Sequence, residues 1–423
     1  MADYSFNTLS VHAGTHPDPT TGACITPIYQ TASYVFENAE QAANRFGLKE
    51  PGYMYSRLGN PTNTVLEERI AALEGGTAAV ATASGHAAQL TALFTLMGPG
   101  DELVASRQLY GGTINQFSHT FAKFDWHVKW AEGAKPETFE AEITPRTKAL
   151  YIESVANPAG DFIDIEAIAK VAHNAGVPLI VDNTMATPYL VRPFEWGADI
   201  VLHSGTKFLG GHGNSLAGLI VDGGKFDWGN GNFPTLSEPN ESYHGLKFYE
   251  TFGDKAFATV CRALGLRDLG PALSPFNAFL ILTGIETLPL RMQRHCDNAL
   301  AVARWLRNHP KVAWVHYAGL DDCPCHALQK KYSPKGAGSI FTFGVKGGFD
   351  AGKKLVDSVK LFSHLANIGD TRSLIIHPAS TTHSQLTPDE QEKAGAGPDV
   401  VRVSIGIEDA NDIAIDLDQA LNA

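Results

Sequence analysis

The chain has 423 residues, which at about 150 residues per domain allows two or three domains and a large core. Charged residues are 18% of the total, against a usual figure of about 25%, and hydrophobic residues 44%, so part of the surface is expected to be buried again between subunits. With 33 Lys and Arg against 45 Asp and Glu, the formal charge is −12, which argues against nucleic acid or an anionic membrane as partner, since both need basic footprints.

In chain order, Met1 to Asn7 has neither a basic nor an apolar region, so no secretory signal is read. The first sixty residues are rich in Pro, Thr, Tyr and Asn and show little periodicity; residues 1–62 are taken as an extended arm. A helix follows, with Leu66, Ile70 and Leu73 on one face and Gly75-Gly76 as its stop. Residues 75–100 carry no charge but are studded with Gly, Thr and Ser, and read as a buried strand and helix rather than a membrane span. Short apolar runs at 79–82, 102–105, 149–152, 177–181, 199–202 and 216–221 alternate with helical stretches such as 165–175, ended by Gly176. Most of these runs do not alternate, as strands covered on both faces should not, and the βα rhythm predicts an α/β domain over 63–272 with a mostly parallel sheet.

Residues 225–254 break this pattern with Gly229, Gly231, Pro234 and Pro239 among aromatics, and read as a long structureless insertion of functional or interface type. A smaller α+β domain is expected over 273–423, with a helix near 298–307 and strands at 339–343 and 400–404. The acidic end, 408–418, reads as a solvated helix face. The cysteines are Cys24, Cys261, Cys296, Cys323 and Cys325, an odd set without CxxC, as in a reduced intracellular protein. Cys323-Pro324-Cys325 is a poor disulfide and half a metal site at most, and no catalytic metal is expected. The reading is a soluble, cytoplasmic protein.

Ligands of parallel α/β sheets bind at the carboxyl ends of the strands, so the residues that follow each run matter most. They are Ser84-Gly85-His86, Tyr110-Gly111-Gly112-Thr113, Glu153 with Asn157-Pro158, Asp182-Asn183-Thr184, and Ser204-Gly205-Thr206-Lys207. Singly each is weak, because a Gly-rich turn is more often only a turn and an Asp at a strand end more often a helix cap. Together they place helix N-terminal N–H groups at Gly85 and His86 beside the hydroxyls of Ser204 and Thr206, a phosphate cradle without a P-loop. Asp182 on one strand and Lys207 after the next suit a cofactor with a basic ring nitrogen, a phosphate and an aldehyde, which is pyridoxal 5'-phosphate. A carboxylate about 4 Å from the ring nitrogen is worth roughly 4 kcal/mol at an effective dielectric near 20, enough to keep the ring protonated.

The stretch from Asp199 to Gly213 resembles the lysine signature of the trans-sulfuration (Cys/Met metabolism) family of pyridoxal-phosphate enzymes. Further likeness runs through Tyr55-Ser56-Arg57, Asn60-Pro61-Thr62, Val181-Asp182-Asn183-Thr184, His377-Pro378-Ala379 and Arg402-Val403-Ser404. The resemblance implies an aspartate-aminotransferase-like (fold type I) α/β architecture, with Lys207 bonded to the cofactor aldehyde and Asp182 on the pyridinium. It further implies Tyr110 stacked on the ring and acting as second acid/base, Asn157 at the phenolic oxygen, and phosphate held by Gly85, His86, Ser204 and Thr206. Tyr55 and Arg57 would reach that phosphate from a neighbouring subunit of a dimer of dimers. Arg402 would clamp the substrate carboxylate, with Asn367 and Arg372 on the substrate side. Arg372 stands where cystathionine enzymes carry a glutamate. The phrases Leu266-Arg267-Asp268-Leu269-Gly270 and Ala366-Asn367-Ile368-Gly369-Asp370-Thr371-Arg372, with the added length at 225–254, point to the branch acting on O-acetylhomoserine and sulfide or a small thiol. The succinyl-ester sulfhydrylases, cystathionine γ-synthases and methionine γ-lyases of the family are the alternatives. No GxGxxG follows a strand, and neither GxxxxGK[ST] nor HExxH occurs, which leaves dehydrogenase and zinc-hydrolase readings without support.

Overall fold

A computed structural model describes residues 4–382, 384, 387, 391 and 395–423. The larger sheet has seven strands: β1 (Ala78–Thr82), β2 (Glu102–Ser106), β3 (His127–Ala131), β4 (Thr147–Glu153), β5 (Leu179–Asp182), β6 (Ile200–Ser204) and β7 (Gly218–Asp222). Their order is β1-β7-β6-β5-β4-β2-β3. The pairs among β2 to β6 are parallel, whereas β7 runs antiparallel to both its neighbours. The reason lies in the connection: between β6 and β7 the chain makes turns and no helix, and a parallel return needs a crossover, usually helical.

The central strands are buried along nearly their whole length, as their unbroken apolar runs require. The helix Pro61–Glu74 buries Leu66, Ile70 and Leu73 and ends at Gly75 in the left-handed region (φ 82°). The charge-free stretch forms β1 and the helix Gly85–Leu96, capped by Ser84, whose hydroxyl accepts the Ala87 N–H at 3.2 Å.

Two expectations change here. β3 was not read from the sequence, because it is an edge strand whose His127 is exposed and whose next three residues are half-buried. Residues 225–254 are not structureless: they hold the short helices Pro234–Ser237 and Phe248–Phe252 and bury Trp228, Phe233, Leu236 and Phe248. Trp228 stacks on Phe257 with ring centroids 5.3 Å apart. Aromatic area, not regular periodicity, holds this segment in the core cluster that includes Ile180, Ile200 and Ile220.

The helices Pro275–Glu286 and Leu288–Arg307 lead to a second sheet. It comprises β8 (Val312–His316), β9 (Ile340–Val345), β10 (Ser363–His364), β11 (Leu374–Ile376) and β12 (Val400–Ser404), ordered β10-β11-β12-β9-β8 and antiparallel except for β10/β11. The long helix starts ten residues earlier than expected, because Arg291 and His295 look polar in the sequence yet are buried. The last helix, Ala410–Leu421, buries Ile413 and Leu417 and departs from the solvated reading at one of its acidic positions. Asp416 is buried, and its carboxylate accepts the backbone N–H groups of Lys360, Leu361 and Phe362 at 2.8–3.1 Å.

Candidate active site

A cavity of about 210 Å³ opens at the carboxyl ends of β4, β5 and β6, where the second sheet faces the first. At its base Asp182 ends β5. Its Oδ1 accepts from the Thr184 N–H at 3.0 Å and the Thr184 hydroxyl at 2.5 Å, and its Oδ2 faces the Tyr151 hydroxyl at 3.4 Å. Tyr151 in turn accepts from Gln89 Nε2 at 2.9 Å. Burial, then the charges of Asp182 and Glu153, push the Tyr151 phenol well above its usual range, so it stays a neutral donor that orients the Asp182 carboxylate.

Lys207 follows β6 in a turn closed by the Gly210 N–H to Gly205 O (3.0 Å) and the Gly211 N–H to Lys207 O (2.7 Å). Behind that turn the buried Arg291 donates to the carbonyls of Phe208, Leu209 and Gly284. The Lys207 amine is hydrogen-bonded to Asn367 Oδ1. Burial, helped by the nearby charge of Arg402, lowers its pKa to about 8.

On one side the helix Gly85–Leu96 aims its N-terminus into the cavity, with Gly85, His86, Ser204 and Thr206 in the wall. A Cβ on Gly85 would lie 3.0 Å from that of Ser204, so the absent side chain is what lets helix and β6 approach. Tyr110 lines the mouth, half exposed, its ring centroid 6.0 Å from that of His86. On the other side Arg402, on β12, donates to Asn157 Oδ1 at 3.1 Å and approaches the Asn367 carbonyl at 3.4 Å. Burial lowers its pKa to about 10. Both partners are amide oxygens, so the buried guanidinium facing the cavity has no carboxylate partner among the described residues.

Of the residues expected from the sequence, Lys207, Asp182, Tyr110, Asn157, Gly85, His86, Ser204, Thr206, Asn367 and Arg402 all line this one cavity. Three do not. Arg372 is turned aside to Asp370 (3.1 Å), with its side chain 66% exposed. Tyr55 and Arg57 lie outside the wall, the Arg57 guanidinium 5.5 Å from the Tyr55 ring centroid and bonded to the Arg267 carbonyl.

Sequence reasoning gave Glu153 no role. Its buried carboxylate accepts the Tyr110 N–H at 2.7 Å and the Asn157 N–H at 3.1 Å, holding two wall residues in place. Burial and the Asp182 charge raise its pKa well above the usual carboxylate range. Its position opposite Asp182 in the β4/β5 register was the available signal. Arg291 had no such signal, being remote in sequence from the turn it supports.

The donor set fits pyridoxal phosphate: an amine of lowered pKa, a fixed carboxylate, a helix N-terminus flanked by hydroxyls, and a guanidinium open to an α-carboxylate. Sheet, helices and rim together define the fold type I class of pyridoxal-phosphate enzymes. Residues 7–422 match the Cys/Met metabolism PLP-dependent enzyme family, and the chain belongs to that family. It is 53% identical to an O-acetyl-L-homoserine sulfhydrylase of Leptospira meyeri, over 98% of this chain and 96% of that protein. It is 52% identical to O-acetyl-L-homoserine sulfhydrylase 1 of Thermus thermophilus, over 98% and 99%. A solved Campylobacter jejuni structure, assigned as an O-acetylhomoserine (thiol)-lyase and containing N'-pyridoxyl-lysine-5'-monophosphate, superposes with a TM-score of 0.96 at 39% identity. The match covers 99% of this chain and 100% of that one.

Proposed function

We propose that the chain performs a γ-replacement, converting O-acetyl-L-homoserine and sulfide to L-homocysteine and acetate. The observation that carries the reading is Arg402, buried beside Lys207 and Asp182 without a carboxylate partner among the described residues, in a chain half identical to O-acetyl-L-homoserine sulfhydrylases. When bound, pyridoxal phosphate supplies an aldehyde for the substrate amine and a ring that draws electron density from the substrate's Cα and Cβ.

Asp182 keeps the ring nitrogen protonated, and the Thr184 and Tyr151 hydrogen bonds hold its carboxylate in position. Backbone N–H groups at Gly85 and His86, with Ser204 and Thr206, take the phosphate. Arg402 binds the α-carboxylate in its planar fork, which fixes the Cα–H bond relative to Lys207. Lys207 Nζ, about half neutral near pH 8, removes the Cα proton and carries it onward. Tyr110, at the cavity mouth, would pack against the ring and serve as the second proton donor, assisting departure of acetate. Asn367 anchors the Lys207 amine, and Asn157 ties Arg402 to the cofactor's side of the cavity.

We assign the assembly as a homotetramer, a dimer of dimers, in the cytoplasm, with Tyr55 and Arg57 of the 1–62 arm reaching a neighbouring subunit's phosphate. Residues 63–272 form the cofactor domain and 273–423 the smaller one. The test is a steady-state matrix of acetyl and succinyl esters against sulfide, methanethiol and cysteine. Highest kcat/KM for O-acetylhomoserine with sulfide supports the reading; preference for the succinyl ester with cysteine overturns it in favour of a cystathionine γ-synthase.

A further inference from the structure

Away from this cavity, β8 ends at His316, and the loop behind it brings Cys323 and Cys325 to the start of the helix His326–Tyr332. Opposite them stands Asp161, from the turn that follows β4. His316 Nε2 lies 2.7 Å from Asp161 Oδ1, and the two sulfurs are 3.3 Å apart. One donor atom from each of the four residues falls within 4.8 Å of all the others. Cys325 is buried, and His316 and Asp161 are 29% and 23% exposed, so the cluster is shielded yet reachable from solvent. The sequence offered only the Cys-Pro-Cys half. The other half comes from positions too distant in the chain to show any ligand spacing.

We propose that Asp161, His316, Cys323 and Cys325 form a binding site for a thiophilic divalent cation of the zinc class. Two sulfurs, one imidazole nitrogen and one carboxylate oxygen are the donors zinc takes in four-coordinate sites, whereas calcium and magnesium select all-oxygen sets. Bond lengths of about 2.0–2.3 Å around a tetrahedral ion put neighbouring donors roughly 3.3–3.8 Å apart. The His316–Asp161 pair and the two sulfurs have to open slightly, and a pair at the 4.8 Å limit would have to close by about 1 Å. Each thiol that binds gives up its proton to solvent. Proline between the two cysteines leaves their sulfurs side by side, which favours chelation of one ion over a strained bond between them.

The site joins two parts of the molecule. Asp161 belongs to the turn of Asn157, since the Ala156 N–H donates to the Asp161 carbonyl at 2.8 Å and the Gly160 N–H to the Ala156 carbonyl at 2.7 Å. An ion here therefore ties the β8 loop to the turn that presents Asn157 to Arg402.

The experiment is a titration of the reduced, chelator-treated holoprotein with cobalt(II), followed in the visible region where tetrahedral cobalt bands appear. One equivalent should give intense tetrahedral bands with a sulfur-to-cobalt charge-transfer band, and zinc should abolish them. Cys323→Ser and His316→Gln should each weaken binding by more than about 100-fold. Both variants should keep the absorbance of the lysine-bound cofactor, which reports that the chain is folded. Cys24→Ser, at an exposed and separate cysteine, should bind as the parent does. Absence of tetrahedral bands overturns the proposal, as does unchanged binding in the Cys323 and His316 variants. A Cys323–Cys325 disulfide in the air-exposed protein, with no cobalt bound after reduction, overturns it in favour of a redox pair.

Discussion

At Lys207, burial and the Arg402 charge both act against the ammonium form, so the amine is poised near pH 8 rather than in the usual lysine range. Capture of pyridoxal phosphate by the cofactor-free protein should therefore speed up about tenfold per pH unit below 8 and level off above it. Stopped-flow absorbance measures this; a rate still climbing towards the ordinary lysine range would contradict the assigned environment. Lys207→Met should show neither the absorbance nor more than about a hundredth of the turnover. Asp182→Asn should retain cofactor yet slow exchange of the substrate Cα proton with deuterated solvent by two to three decades, the rate equivalent of roughly 4 kcal/mol. Exchange at the parent rate would remove Asp182 from the ring nitrogen. Both cavity positions were legible because Asp182 closes one apolar strand and Lys207 lies three residues past the end of the next. Arg372, expected on the substrate side, instead pairs in the single chain with Asp370 two residues before it, a contact that likeness of position could not reveal. Glu153 and Arg291 act through backbone groups of other segments, and no local pattern encodes that.

At the scale of elements, strands buried on both faces announced themselves, and those that failed to do so failed for physical reasons. β3 sits at an edge and carries His127 and Lys129, so its run is broken by charge and exposure. The 216–221 run was set two residues early: Leu216 is 57% exposed and lines the cavity, and pairing begins at Gly218. The acidic end hid Asp416 among solvated neighbours. Asp416→Ala should leave three backbone donors without their acceptor, lowering stability by about 2–3 kcal/mol, read as a fall in melting temperature. Asp412→Ala on the same helix should change it little; equal effects from the two would mean that Asp416 contributes only helix charge.

At the scale of the molecule, the arm leaves apolar side chains in solvent. Val35 is 92% exposed, Phe46 63% and Ile25 60%, side chains that a neighbouring subunit would cover if the arm crosses to it. That agrees with the low charged fraction and with the proposed crossing of Tyr55 and Arg57. Mixing Arg57→Ala subunits with Lys207→Ala subunits tests it, because each alone should be weak or inactive. In a shared site, hybrid dimers hold one site with both lesions and one with neither, and activity partly returns. Verified subunit exchange without recovery would confine Arg57 to its own subunit. The arm's composition gave little periodicity, yet it holds the helices Phe6–His12 and Ala39–Phe46; the proposed crossing would depend on a surface outside the single chain.

Two of the wall's bonds span long stretches of sequence: Arg402 and Asn157 are 245 residues apart, Lys207 and Asn367 160. Doubling a loop costs only about 0.6 kcal/mol, so such distances weigh on timing more than on final stability. During synthesis the seven-stranded sheet has all its strands before Asn367 and Arg402 leave the ribosome. Until then the Arg402 charge, the lesser of the two causes that lower the Lys207 pKa, is absent from the site. The cavity wall is therefore completed only by the last part of the chain, and a fragment ending before Asn367 should lack both of these long-range bonds.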